Sequence, residues 1–161
     1  MPEILDIIDE NNNVIGKAAK EDVLKQNLMH RGVAIFVFNS KREIFVHKRV
    51  ANKIIYPSMW DMTCGGGVIS GEDFLAGAKR ETTEEVGIID PELEYLFTDR
   101  YKTELDNVIA AVYKTVFDGE IIIEKEEIEK GFFVSLDKLN EMMKTEKFCP
   151  DSLQYFEKLK N

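Results

Sequence analysis

The stretch "GGVISGEDFLAGAKRETTEEVGI", residues 66–88, joins a glycine-rich segment to a run of carboxylates at helical spacing. Its second half predicts a helix that ends at Gly87, because glycine is common just after a last helical turn. At about 100° per residue, Glu81, Glu84 and Glu85 lie on one arc of that helix. Like charges at these spacings repel, and anions near a helix C-terminus oppose the helix dipole. The cluster therefore predicts a bound group that relieves this repulsion.

A divalent cation is the group that such a cluster favours. Mg²⁺ binds oxygen atoms and usually completes its shell with water and substrate phosphates. Arg80 is placed to hydrogen-bond a neighbouring carboxylate and hold it in position. The opposite arc of the helix predicts contact with the core through Leu75, Ala78, Thr82 and Val86.

The spacing of this stretch resembles the Nudix box, which is glycine, five residues, glutamate, seven residues, then Arg-Glu-(aliphatic)-x-Glu-Glu-x-Gly-(aliphatic). The matching positions are Gly66, Glu72, Arg80, Glu81, Glu84, Glu85, Gly87 and Ile88. Thr82 stands where the family prefers an aliphatic residue, and its γ-methyl group can partly substitute in the core. Seven fixed positions at roughly 7% frequency each would match by chance on the order of once in 10⁸ starts. The resemblance is therefore specific.

The resemblance implies an α/β (α+β) fold, an α/β/α sandwich around a mixed β-sheet, and Mg²⁺-dependent hydrolysis, with Mn²⁺ as a substitute. The implied substrate is a nucleoside diphosphate linked to another moiety. By similarity, the expected metal ligands are Glu81, Glu84, Glu85 and the carbonyl of Gly65. The expected catalytic residues are Glu84, Glu85, Arg80 and Glu127, and the expected substrate-binding residues are Arg49, Lys53, Gly66 and Glu72. The general base stays open between the box glutamates and the acidic run at residues 124–129.

The rest of the chain predicts one domain, residues 1–161, with an N-terminal hairpin extension over residues 1–29. The run "RGVAIFVF" predicts a strand that is covered on both faces. Residues 57–73 are rich in turn formers. An amphipathic helix is indicated by Leu136, Leu139, Met142 and Met143, and a second helix ends the chain. His30 is expected to be structural or to line the substrate site, His47 to be partly exposed in a sheet, and Trp60 to pack in the core or to stack on a base.

Residues 5–90 also resemble the Nudix branch that includes isopentenyl-diphosphate isomerases. The isomerase pattern has a catalytic cysteine and a metal-binding histidine at the positions of Gly65 and Gly67. Cys64 is one position too early and would point to the other face of an extended segment. The later catalytic glutamate of the isomerase falls near Val108. A hydrolase is therefore favoured over an isomerase, and a catalytically silent nucleotide-binding module is disfavoured because every box glutamate is present.

The formal net charge of −9 disfavours nucleic acid as a partner, since binding it requires neutralised phosphates. The longest apolar runs are too short to span a bilayer, and "MPEILDIIDE" lacks the pattern of a secretory signal. The two cysteines are expected to be reduced thiols in a cytoplasmic protein. The expected partner is a small-molecule diphosphate, either a nucleotide sugar, a dinucleotide, a damaged nucleoside triphosphate or a prenyl diphosphate. A homodimer through the N-terminal hairpin is possible.

Overall fold

The computed structural model describes residues 2–161, in which nine strands and four helices alternate along the chain. The strands are β1 (Ile4–Ile8), β2 (Val14–Ala19), β3 (His30–Phe38), β4 (Ile44–Arg49), β5 (Trp60–Asp61), β6 (Cys64–Gly67), β7 (Glu94–Lys102), β8 (Asn107–Val116) and β9 (Ile128–Val134). The helices are α1 (Lys20–Lys25), α2 (Phe74–Val86), α3 (Leu136–Thr145) and α4 (Pro150–Lys160).

Strand β3 is the centre of a mixed sheet. It pairs in parallel with β8 along its whole length, from His30 opposite Val108 to Phe38 opposite Val116. It also pairs antiparallel with β6 and, at one residue, with β1 of the N-terminal hairpin. Strand β7 extends the sheet beyond β8, and β4, β5 and β9 form a second antiparallel group. The hairpin pairs with its own chain through β1, and the homodimer stays a prediction.

Side chains alternate along β3 between two apolar cores, because successive residues of a strand point to opposite faces. Ala34 and Phe36 enter the core under α3 and α4, whereas Val33, Ile35 and Val37 enter the core under α2. Every residue from Gly32 to Val37 is buried. Helices therefore cover both faces of the sheet, which confirms the predicted α/β/α sandwich and the strand covered on both sides.

Helix α2 ends where the sequence predicts, and its start is capped by a side chain. The Asp73 side chain accepts a hydrogen bond from the backbone N–H of Ala76, and Gly87 closes the helix with a left-handed φ of 74°. Ala78, Thr82 and Val86 face the core, as expected, and the Thr82 hydroxyl donates to the Ala78 carbonyl at 2.7 Å.

Two local expectations were wrong. Leu75 is 42% exposed, because α2 starts at Phe74 and this ring packs against the core in its place. Leu136 is 45% exposed, since it opens the first turn of α3 beyond the buried stripe. The turn-rich residues 57–73 also contain β5, which pairs with β4, and β6, whose glycines pair with β3. Trp60 packs in the core, where its ring meets Phe132 edge to face.

His47 is buried rather than partly exposed, at 2% exposure. It lies on β4 between two paired strands, opposite Asp61 and Gly131, so both edges of its backbone are covered. Its Nδ1 has no hydrogen-bond partner among residues 2–161. Burial, partly offset by the charge of Asp61, lowers the pKa of His47 to about 4.

None of the helices in residues 2–161 has the length and apolar character that crossing a membrane requires.

His47 should make the fold sensitive to acid. As the pH falls below about 6.5, the imidazole of His47 binds a proton in the unfolded chain. In the folded chain the same imidazole stays neutral until about pH 4. Stability is therefore lost in that window. Between pH 7 and pH 5 the wild-type protein should lose about 2 kcal/mol more unfolding free energy than His47→Gln. Urea unfolding at both pH values measures the difference. Lys48→Gln, at the next residue of β4, is the control, and it should lose as much unfolding free energy between pH 7 and pH 5 as the wild type. An equal loss in His47→Gln and the wild type would contradict the prediction.

Candidate active site

A cavity of about 1210 Å³ opens between β3, β6, the C-terminal half of α2 and the loop that follows β4. It brings eight of the ten predicted site residues together, which are Arg49, Lys53, Gly65, Gly66, Glu81, Glu84, Glu85 and Glu127. Within residues 2–161, the other two, Glu72 and Arg80, lie behind the cavity wall rather than in it.

The box carboxylates differ in exposure although they share one face of α2. Glu81 and Glu85 are buried, at 5% and 8% exposure, whereas the Glu84 side chain is 53% exposed. Burial raises the pKa of Glu81, and burial together with the charge of Glu81 raises that of Glu85. Two buried carboxylates at the wall of a polar cavity are costly unless a cation accompanies them.

The glycines of β6 make room for these carboxylates. Gly65 has a φ of 152°, and a Cβ atom there would lie 2.0 Å from the Val33 carbonyl oxygen. A Cβ atom on Gly66 would lie 2.7 Å from Oε1 of Glu81. The Glu81 carboxylate therefore rests directly on the backbone of β6, a position that any larger residue at 66 would displace.

Arg80 holds the box carboxylates in position from the side opposite the cavity. Its Nη1 donates to Oε1 of Glu81 at 2.9 Å and to Oε2 of Glu84 at 3.2 Å. Its Nη2 donates to the Gly67 carbonyl at 3.0 Å, and Nε and Nη2 donate to Glu72 at 2.8 and 3.0 Å. The planar guanidinium thus fixes helix, strand and loop at once, which an ammonium group does not do.

Glu72 supports Arg80 rather than facing the substrate space, so its expected role as a substrate contact does not fit its position. One carboxylate oxygen also accepts the Ile69 backbone N–H at 2.8 Å. The reason is local, because the loop before α2 folds back over Gly77, and a Cβ atom on this glycine would lie 3.5 Å from the Glu72 carboxylate. Glu72 and Arg80 therefore form one rigid support behind the box.

Carboxylate oxygens of Glu3, Glu81 and Glu84 lie within 4.8 Å of one another and offer a divalent cation an oxygen-rich set of ligands. Such a set fits Mg²⁺ or Mn²⁺. Over residues 2–161, Glu85 is not part of this group, and the charges of Lys53 and Arg49 act on its pKa in the opposite direction to burial. Glu3, on the segment that leads into β1, was not anticipated from the sequence.

Lys53 and Glu127 face each other across the mouth of the cavity and form an ion pair. Burial, followed by the charge of Arg49, lowers the pKa of Lys53 to about 8. The charges of Glu85 and Glu81 act on Lys53 in the opposite direction. The ammonium group of Lys53 therefore lies between the box carboxylates and the acidic run that follows β8.

Arg49 lines the cavity, but its guanidinium is largely engaged. Nε donates to the Tyr56 carbonyl at 3.1 Å and Nη2 donates to the Ile55 carbonyl at 3.0 Å. Nη1 lies 3.9 Å from Oδ2 of Asp61. Arg49 thus holds the loop after β4 against the cavity, which leaves it less free for substrate phosphates than the sequence suggested.

The side of the cavity beyond Arg49, here called the inner pocket, is formed by His30, Tyr56, Asp61, Asp106 and Asp151. These residues come from β3, the loop after β4, β5, the turn before β8 and the first turn of α4. They are distant in sequence and carry no shared spacing, so sequence reasoning missed four of them. His30, expected to be structural or to line the substrate site, lines the pocket and is 6% exposed.

Cys64 is the position that separates the hydrolase from the isomerase pattern. It pairs opposite Ile35 on β6, is 3% exposed and belongs to the core under α2. Burial raises the pKa of its thiol well above the usual range. The side chain therefore points away from the cavity, as its one-residue offset predicts.

The chain matches the family model of the NUDIX domain over residues 28–158. It is 34% identical over 160 residues to an uncharacterized Nudix hydrolase of Streptomyces coelicolor, with 98% of this chain and 88% of that protein covered. It is also 34% identical over 148 residues to isopentenyl-diphosphate Delta-isomerase 2 of Photorhabdus laumondii, with 89% and 83% covered. The crystal structure of DR0079 from Deinococcus radiodurans superposes with a TM-score of 0.79 at 25% identity and covers 92% of this chain and 94% of that one.

Arg80→Lys should weaken both the fold and the binding of a divalent cation. Lysine keeps the charge but cannot bridge Glu72, Glu81 and Gly67 together, so we expect a loss of about 2 kcal/mol of unfolding free energy. Mg²⁺ affinity should fall about 10- to 100-fold because Glu81 loses its orienting donor. Urea unfolding and calorimetric titration with Mg²⁺ measure the two effects. Lys79→Ala, on the exposed face of the same helix, is the matched control, and an Arg80→Lys protein that behaves like it would disprove the role.

Proposed function

Because this chain belongs to the Nudix hydrolase family, we propose that it is a Mg²⁺-dependent enzyme that cleaves the diphosphate bond of a nucleoside diphosphate linked to another moiety. Family membership makes it a pyrophosphohydrolase. The observation that carries the finer proposal is the pair of buried carboxylates, Glu81 and Glu85, which share one cavity with the half-buried cation of Lys53. Carboxylates suit a divalent cation, and a cation suits a phosphate group.

By the family pattern, Glu81, Glu84 and Glu85 would hold the metal with the carbonyl of Gly65, whereas the geometry favours Glu81 and Glu84 together with Glu3 and leaves Glu85 outside this group. When bound, Mg²⁺ or Mn²⁺ polarises the phosphoryl oxygens and lowers the pKa of the attacking water. The chain's own contribution is to keep these carboxylates in place before the ion arrives. Arg80 does so for Glu81 and Glu84, and the backbone of β6 does so for Glu81.

Lys53 is the side chain best placed to bind a substrate phosphate. It lines the cavity beside Glu85, and its ion pair with Glu127 can be exchanged for a pair with the diphosphate. Gly66 would let the phosphate approach the backbone of β6, since it carries no side chain. Arg49 acts mainly by holding the loop that carries Tyr56.

Two carboxylates are placed to accept the proton of the attacking water. Glu85 lies on the cavity wall within the box, and Glu127 lies at the mouth beside Lys53. Release of Lys53 to the substrate would free Glu127 to take up that proton. A positioned general base contributes about 10²- to 10⁴-fold to the rate, which makes the two candidates separable by kinetics.

The isomerase alternative draws support from the relative in Photorhabdus laumondii, which bears that name. The buried position of Cys64 argues against it, because proton transfer to a double bond needs a donor that faces the substrate. A silent binding module is the weaker alternative, since such a protein has no need for the complete carboxylate set of the box.

We also propose the partner, the cellular compartment and the oligomeric state of the enzyme. Its partner is a small-molecule diphosphate, and a net charge of −9 disfavours nucleic acid. Two buried free cysteines suit a reducing compartment such as the cytoplasm. The outer edge of β2 is the place where a second copy could pair to form a homodimer.

Metal-dependent hydrolysis is the direct test. Nucleotide or phosphate release should be measured from a panel of nucleoside diphosphate derivatives and isopentenyl diphosphate, with Mg²⁺ and with a chelator. We expect turnover only with the metal, and a fall of at least about 10²-fold in kcat for Glu85→Gln. Isomerisation of isopentenyl diphosphate without any hydrolysis would reject the proposal.

Glu127→Gln assigns the general base. If Glu127 takes the proton, kcat should fall about 10²- to 10⁴-fold with little change in KM. Glu126→Gln, an exposed neighbour in the same acidic run, is the matched control and should keep the wild-type rate. A Glu127→Gln rate within tenfold of the control would leave Glu85 as the base.

A further inference from the structure

The inner pocket is a polar chamber that the proposed chemistry does not use. Asp61 is 7% exposed and Asp106 is 5% exposed, and both line the cavity together with Asp151. Burial, followed by the charges of Asp61 and Asp106, raises the pKa of Asp151 to about 8. Three acidic side chains, of which Asp151 keeps its proton at neutral pH, have therefore been brought out of bulk water at one end of an open cavity, a costly arrangement in the absence of a binding partner.

Tyr56 adds an independent observation. Its side chain is 7% exposed, and its hydroxyl, which lies beside Asp106 and Tyr101, makes no hydrogen bond of normal geometry among residues 2–161. Its backbone is left-handed, with a φ of 53°, although the next residue is Pro57. Such conformations are costly for non-glycine residues and are found preferentially at ligand sites. The two hydrogen bonds from Arg49 to the carbonyls of Ile55 and Tyr56 hold the loop in this shape.

The pocket offers hydrogen-bond acceptors at Asp61, Asp106 and His30, and Asp151, which keeps its proton at neutral pH, adds a donor. Nδ1 of His30 lies 3.0 Å from the Leu28 carbonyl, which can only accept, so Nδ1 carries the proton. Burial lowers the pKa of His30, which keeps the ring neutral and leaves Nε2 as an acceptor. The nearest cation, Arg49, already donates to the loop. A ligand that complements this pocket must bring donors.

We propose that the inner pocket binds the group attached to the substrate's diphosphate, and that this group carries several hydroxyl or amino donors, as a sugar or an amino alcohol does. The inference rests on the proposed hydrolase function, because it specifies the second half of that substrate. The continuous cavity supports it, since Asp61 lies near Nη1 of Arg49 and its charge also reaches Glu85 in the box.

A hydrocarbon group would be rejected by the same pocket. A prenyl chain would strip the remaining water from Asp106 and Asp151 and offer no hydrogen bond in return. Sites built to hydrogen-bond a substrate group discriminate against analogues that lack it by on the order of 10⁴-fold. The pocket therefore selects donor-rich diphosphates among the substrates that the box alone would admit.

Binding can be measured apart from turnover in the Glu85→Gln variant, which retains Glu81 and Glu84. The probes are UDP-glucose, CDP-ethanolamine and isopentenyl diphosphate, each titrated by calorimetry with Mg²⁺ present. We expect the two donor-rich probes to bind at least about 100-fold more tightly than isopentenyl diphosphate. Adding Tyr56→Phe should reduce this preference about five- to tenfold, the usual effect of losing one hydrogen bond.

Tyr95→Phe is the matched control, because the Tyr95 hydroxyl contacts Thr98 on the exposed surface of β7. It should leave the preference unchanged. Asp106→Asn then shows whether an ammonium group or a hydroxyl group binds here. Loss of the carboxylate should weaken binding of CDP-ethanolamine more than binding of UDP-glucose.

Three results would overturn the proposal, and the first two concern the unsubstituted pocket. One is binding of isopentenyl diphosphate as tight as that of the donor-rich probes, and another is no binding of any probe. The third is an equal loss for all three probes in Tyr56→Phe, which would make this residue structural. If the donor-rich probes bind selectively but the wild-type enzyme hydrolyses none of the panel, the hydrolase proposal fails and the binding assignment stands.

Discussion

The burial of negative charge on α2 is the constraint on which the rest of the structure depends. Glu81 and Glu85 are turned inward on a helix whose other side packs against the sheet. That geometry requires a strand without side chains beneath them, and β6 supplies it with consecutive glycines. It also requires a cation behind them, and Arg80 supplies it while joining three separate segments. Loss of any of these parts would leave charged groups buried without partners.

The two faces of the sheet lead to different parts of the cavity. The face under α2 is apolar as far as β6, where the carboxylates begin. The face under α3 and α4 is apolar through Phe36 and Tyr155 but ends in the inner pocket, where Asp151 opens the first turn of α4. The cavity lies where the two faces meet, so each layer of the sandwich contributes residues to it.

Much of the fold and the box could be predicted from the sequence, because both are written in local spacing. The C-terminal end of α2 at Gly87 and the buried run of β3 follow from glycine chemistry and from the continuous run of apolar residues. The exposure of Leu75 could not be predicted in this way, because it depends on Phe74 packing against the core in its place. The burial of His47 could not be predicted either, because it depends on the pairing of β4 with strands that are distant in sequence. The inner pocket is non-local in the same sense, because its residues meet only after five segments fold together.

The position of Glu3 has a practical consequence for work on this protein. Pro2 and Glu3 line the cavity, and Glu3 lies within reach of the carboxylates that would hold a cation. A bulky label attached at Pro2 would therefore lie in the cavity, beside the box. The C-terminal end of α4, with its exposed Asn161, is the safer attachment point for labels and for surface immobilisation.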